Sequence, residues 1–111
     1  MVDRFSDINY DRLIVPLAVD AELRFGFLQG NKSRRSLTVY ELFVQKLSVS
    51  IVPPDQATAI IYAELAGWAR QHGVSLSNND LWIAATVVQH DASLFTSDQD
   101  FARLPQVRLA A

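Results

Sequence analysis

An α/β fold built on a mostly parallel sheet is what this chain predicts, from two observations. Its short apolar runs are unbroken rather than alternating, as in Leu13-Ile14-Val15, and they are separated by segments with helical periodicity. Unbroken apolar runs suit strands covered on both faces. Strands that alternate with helices imply βαβ units, right-handed crossovers and a sheet covered by helices.

The elements follow in order. Leu13-Ile14-Val15 predicts a first strand, stopped by Pro16, and a helix is expected over residues 17–28, ended by Gly30-Asn31. Leu37, Tyr40, Val44 and Leu47, with Phe43 beside them, recur at helical spacing and predict a second helix beginning after Ser33 or Ser36. Val49, Ile51 and Val52 read as a strand closed by Pro53-Pro54. Asp55 is the expected N-cap of a helix from Gln56 to His72, with Ile61, Leu65, Trp68 and Ala69 at helical intervals and Gly73 as its stop. Ser77-Asn78-Asn79-Asp80 opens a helix to about His90, whose Ala84 and Ala85 permit close packing. A strand over Ser93-Leu94-Phe95-Thr96, a short helix from Asp98 to Leu104 and a last strand over Val107-Arg108-Leu109 complete the reading.

The 111 residues suit a single domain, 1–111, able to bury roughly two-thirds of its unfolded surface. Half the residues are hydrophobic and a fifth charged, the balance of a globular protein. No apolar run approaches the ~18 residues of a membrane span. Met1-Val2-Asp3-Arg4-Phe5-Ser6-Asp7 lacks the basic-then-apolar order of a signal peptide, so the expected location is cytoplasmic. The absence of cysteine excludes disulfides, a thiolate nucleophile and zinc-thiolate sites. A net charge of −2 excludes general attraction to a phosphate backbone, so a nucleic-acid contact would have to be local.

Three carboxylates carry the functional expectation. At helical spacing Glu22 shares a face with Ala18, Val19, Phe25 and Gly26; Asp80 with Ile83 and Ala84; and Asp98 with Phe101 and Ala102. Buried carboxylates are costly unless compensated. A shared Mg²⁺ or Mn²⁺ would compensate all three, because hard cations take oxygen ligands from separate elements. Ligands of parallel sheets collect at strand carboxyl ends, where these acids could meet. Glu64, beside Ile60, Ile61 and Trp68, passes the same neighbour test with no such role.

Asp80 and Asp98 also have a structural reading, whereas Glu22 is harder to explain as structure. Ser77-x-x-Asp80 matches a capping box, and Asp98 or Asp100 could cap the helix they open. Asp20 is expected to pair with Arg24 on a solvated face, while Glu22 has no basic partner at i±3 or i±4. His72 and His90 are expected as helix-end residues. Lys32, Arg34 and Arg35 form the densest basic cluster, either a solvated loop or a handhold for RNA phosphates. Neither a Gly-x-Ser-x-Gly elbow nor a Gly-rich phosphate loop is present.

Taken together, Val19-Asp20-Ala21-Glu22-Leu23-Arg24-Phe25-Gly26, Asn79-Asp80-Leu81-Trp82-Ile83-Ala84-Ala85 and Leu94-Phe95-Thr96-Ser97-Asp98-Gln99-Asp100-Phe101 resemble the PIN-domain ribonucleases, best the VapC-like toxins of type II toxin-antitoxin systems. The resemblance spans nearly the whole chain. It implies a three-layer α/β/α sandwich and Mg²⁺- or Mn²⁺-dependent hydrolysis of RNA. It also implies a VapB-like antitoxin as partner and a homodimer. Carried over by position, Glu22, Asp80 and Asp98 match metal-site acids and Thr96 a hydroxyl beside them; Asp100 matches a supporting helix-start position.

That family begins with a central strand ending in Asp-Thr-Asn, whose aspartate is a further metal ligand. No such strand is recognisable here, and Asp3, Asp7 and Asp11 do not follow apolar runs. A truncated reading frame and a degenerate remnant both fit. Either implies lower stability, exposed strand edges and weakened metal binding. The competing functions are a non-catalytic remnant that binds an antitoxin or toxin subunit, and a receiver-like phosphoacceptor, for which no aspartate ends an early strand.

Overall fold

The computed structural model describes residues 13–30, 33–94 and 99–109. The chain divides into two compact units, Met1–Pro53 and Pro54–Ala111.

In the first unit, strand β1 (Ile14–Pro16) leads into helix α1 (Leu17–Leu28), followed by helix α2 (Ser33–Lys46) and strand β2 (Ser50–Val52). Pro16 ends the strand and stands directly before the first helical residue, where its missing N–H costs no hydrogen bond. The strands pair in parallel, with Ile14 opposite Ser50, Val15 opposite Ile51 and Pro16 opposite Val52. The two helices form the crossover that a parallel pair requires. Past the end of α2 the backbone enters the left-handed region at Ser48, φ 52°, and the Val49 N–H donates back to the Val44 carbonyl at 3.0 Å. The predicted first strand and both helices are thus present, the second helix starting at the earlier of its two expected positions.

The second unit holds helix α3 (Gln56–Gln71), helix α4 (Asn78–Gln89), strand β3 (Ser93–Leu94), a 3₁₀ helix (Gln99–Arg103) and strand β4 (Arg108–Leu109). Asp55 caps α3 through a reciprocal box with Thr58. The Thr58 N–H donates to Asp55 Oδ1 at 3.1 Å, and the Asp55 N–H donates to Thr58 Oγ1 at 2.9 Å. Gly73, φ 68°, supplies the left-handed residue that ends α3, and the Val74 N–H reaches back to the Ala69 carbonyl at 2.9 Å.

Helices α3 and α4 pack directly on one another. Their buried residues include Leu65 and Ala69 from α3 and Leu81, Ile83, Ala84, Ala85 and Val87 from α4. Ala84 and Ala85 are fully buried, which is the close approach that small residues permit. Thr58, also fully buried, hydrogen-bonds the Gln89 side chain, whose Nε2 donates to Asp55 Oδ1 at 3.0 Å. This ties the end of α4 to the start of α3. Strands β3 and β4 pair in parallel, Ser93 opposite Arg108 and Leu94 opposite Leu109. Arg108 braces them, donating to Ser93 Oγ at 3.0 Å and to the Asp91 carbonyl at 2.7 Å.

Two sequence expectations end differently. The short helix predicted from Asp98 to Leu104 is a 3₁₀ turn over Gln99–Arg103. The strand predicted over residues 93–96 is present at Ser93 and Leu94, its remainder lying outside the described residues.

Candidate functional site

Glu22 lies in the middle of α1 and is exposed. This corrects the expectation that its apolar neighbours would surround it. Leu17, Leu23, Phe25 and Leu28 of α1 are all exposed, so apolar residues flank both the inner and the outer face and neighbour identity does not report burial. Glu64, equally apolar in its surroundings, is exposed as well.

The buried carboxylate of α1 is Asp20, 8% exposed, not the solvated residue its spacing to Arg24 suggested. The i+4 pairing is present: Arg24 Nε donates to both Asp20 oxygens at 3.1 Å. The missing element was Tyr40 of α2, whose hydroxyl donates to Asp20 Oδ1 at 2.8 Å. Arg24 also reaches Glu41 Oε2 at 3.3 Å, and the Phe27 ring stands 5.6 Å from that of Tyr40. Burial, and then the hydrogen bond to Asp20, push the Tyr40 hydroxyl up to about 12. Hydrogen bonds to Asp20 and then to Glu41 raise the Arg24 guanidinium above its ordinary value. A buried tyrosine at helical spacing in α2 was the available signal, but nothing in sequence tied it to Asp20.

Asp80 occupies the first turn of α4, half-buried, where its N–H donates to the Ser77 side chain at 3.1 Å. Ser77 is therefore the N-cap, the first half of the capping box that the sequence suggested. Ile83 and Ala84, the neighbours expected to share the face of Asp80, are buried. Asp100 lies exposed in the first turn of the 3₁₀ helix. Asp98 and Thr96 fall outside the described residues, as does Lys32 of the basic cluster, whose Arg34 and Arg35 are exposed on the first turn of α2. Both histidines stand at helix ends: His72 caps α3, its ring stacked 4.0 Å from that of Trp68, and His90 caps α4.

Among the described residues no three His, Cys, Asp or Glu side chains come together as a metal-holding group. Glu22 and Asp80 belong to different units. The donor chemistry of the three candidates is uniform: carboxylate oxygens, the ligands hard divalent cations take. Among the described residues no buried side-chain polar atom lacks a hydrogen-bond partner, and no helix is long and apolar enough to cross a membrane.

Residues 2–107 match the family model described as PIN domain. Ribonuclease VapC4 of Mycobacterium tuberculosis is 33% identical over 110 residues, spanning 96% of this chain and 80% of the relative. Among solved structures, VapBC2 from Rickettsia felis bound to a DNA fragment from their promoter aligns with TM-score 0.77 at 26% identity, over 88% of this chain and 73% of that one. A member of the VapBC family of toxin-antitoxin systems, VapBC-5 from Mycobacterium tuberculosis, aligns with TM-score 0.74 at 29% identity, over 89% and 81%.

Proposed function

Because this chain belongs to the PIN-domain family, we propose that it is a VapC-type toxin, a metal-dependent endoribonuclease that hydrolyses RNA phosphodiester bonds. The observation that carries this reading is the 33% identity, across 96% of the chain, to a protein named as a ribonuclease. The family match runs through the boundary at Pro53 and Pro54, which supports treating both units as one PIN domain.

Glu22, Asp80 and Asp98 are the proposed ligands of Mg²⁺ or Mn²⁺, with the Thr96 hydroxyl beside them. Asp100, in the first turn of the 3₁₀ helix, is proposed in a supporting role. Such an ion, when bound, eases ionisation of the attacking water and offsets negative charge building on the scissile phosphate. The side chains have their own tasks. Glu22 would supply its carboxylate from the exposed side of α1. The Ser77 cap fixes the Asp80 backbone at the start of α4, from which its carboxylate would reach the ion. A VapB-like antitoxin and a second copy of the chain are the proposed partners, a reading supported by the VapBC neighbours. The cytoplasm, where antitoxin and RNA are both at hand, is the proposed place of action.

The test is cleavage of labelled RNA by the purified chain. EDTA should stop it and added Mg²⁺ or Mn²⁺ restore it. Asp80→Asn, which keeps shape but removes an anionic ligand, should cost on the order of a hundredfold or more in rate and relieve growth inhibition. Cleavage that survives both chelation and Asp80→Asn refutes the metal-dependent nuclease. A chain that binds antitoxin but never cleaves is the non-catalytic alternative.

A further inference from the structure

Helix α1 is oriented against its own hydrophobicity. It exposes Leu17, Leu23, Phe25 (66%) and Leu28 while turning Asp20 inward. A helix apolar on nearly all sides has no single stripe to fix its rotation about its axis. Turning a carboxylate inward in place of those side chains is opposed by desolvation. Three hydrogen bonds compensate: two from Arg24 Nε and one from the Tyr40 hydroxyl across on α2. Among the described residues Asp20 is the only buried charged side chain, and Tyr40 is the only buried one of those described in α2.

This places Glu22. It lies two residues after Asp20 and two before Arg24, roughly 200° around a helix from the first. With Asp20 and Arg24 engaged toward α2, Glu22 is carried to the far side of α1, where it is exposed. Rotation of α1 by one residue position would shift a group at its surface by roughly 8 Å, taking about 5 Å as the helix radius. A metal ligand tolerates misplacement of only about 0.5 Å.

We infer that Asp20, Arg24 and Tyr40 form a clamp that sets the rotation of α1 and act as positioning residues for Glu22. The inference rests on the proposal that Glu22 is a metal ligand. The buried polar group is retained because it selects one orientation among several that hydrophobic burial alone would leave close in energy.

The experiment compares full-length variants by thermal melting, Mn²⁺ affinity by electron paramagnetic resonance, and kcat and KM for RNA. Tyr40→Phe removes one hydroxyl and should melt cooperatively, yet bind Mn²⁺ roughly threefold or more weakly and lose kcat by a similar factor with KM little changed. Asp20→Leu should lose about tenfold or more on both measures. Asp20→Asn, whose amide oxygen can still accept from Tyr40, should fall between Asp20→Leu and the parent. If Asp20→Leu fails to fold, Tyr40→Phe and Asp20→Asn decide by the same criteria. Glu22→Gln is the reference. If it weakens Mn²⁺ binding while folded clamp variants keep parental affinity and kcat, the clamp is refuted and the metal site stands. If Glu22→Gln itself binds Mn²⁺ like the parent, Glu22 leaves the site and the positioning role falls with it.

Discussion

Tyr40 shows how one hydroxyl couples two helices to pH. Its folded value, about 12, lies above the ordinary tyrosine value of 10.0, because burial and then the hydrogen bond to Asp20 favour the protonated form. The unfolded chain therefore releases this proton first as pH rises. The stability that Tyr40 contributes is complete below about pH 10 and is lost as pH climbs through about 12. Urea melts of the parent should weaken across that alkaline window more than those of Tyr40→Phe, which has no proton to lose. Equal losses would mean the hydroxyl is not tied to Asp20. Asp55 acts at the opposite end of the scale. The Thr58 N–H, then the Gln89 side chain, hold its carboxyl below 3.8, so its contribution is present above that value and fades as pH falls through the lowered one.

At the scale of elements, most boundaries are written in local chemistry. Pro16 before α1, Asp55 with Thr58 at α3 and Ser77 at α4 each act within a few residues, and each is legible in the order of amino acids alone. Gly73 is the sharpest case. A methyl group there would meet no atom within 4 Å, so the penalty of Gly73→Ala comes from its φ of 68° alone. We predict a loss of about 1–2 kcal/mol in urea denaturation, without loss of helix α3 by circular dichroism. A neutral substitution would mean that the turn relaxes out of the left-handed region. The 3₁₀ form of Gln99–Arg103 was not legible, since short helices of either kind share the same composition cues.

For the whole molecule, charge bounds any contact with nucleic acid. With a net charge of −2 the chain does not attract phosphates as a body, and exposed Arg34 and Arg35 on α2, with Lys32 next to them in sequence, are the densest basic cluster. If these three hold RNA, the logarithm of affinity should fall with the logarithm of salt concentration at a slope near about −2, and each Arg→Ala change should flatten it by about 0.7. Filter binding of single-stranded RNA to the Asp80→Asn chain measures this without cleavage. A slope unchanged by Arg34→Ala and Arg35→Ala would mark them as solvated surface. The family match across residues 2–107 agrees with the α/β class read from alternating strands and helices.

The sequence by itself determined most element boundaries and the fold class they build, because caps, prolines and apolar periodicity act between residues close in the chain. It also marked Glu22, Asp80 and Asp98 as candidates through motifs that resemble one family. Only the tertiary structure decided which carboxylate of α1 is buried. That choice depends on Tyr40, twenty residues from Asp20 along the chain, and on a helix apolar enough on every side that local spacing favours no face. Burial of a charged group is a property of its partner, and the partner is supplied by folding.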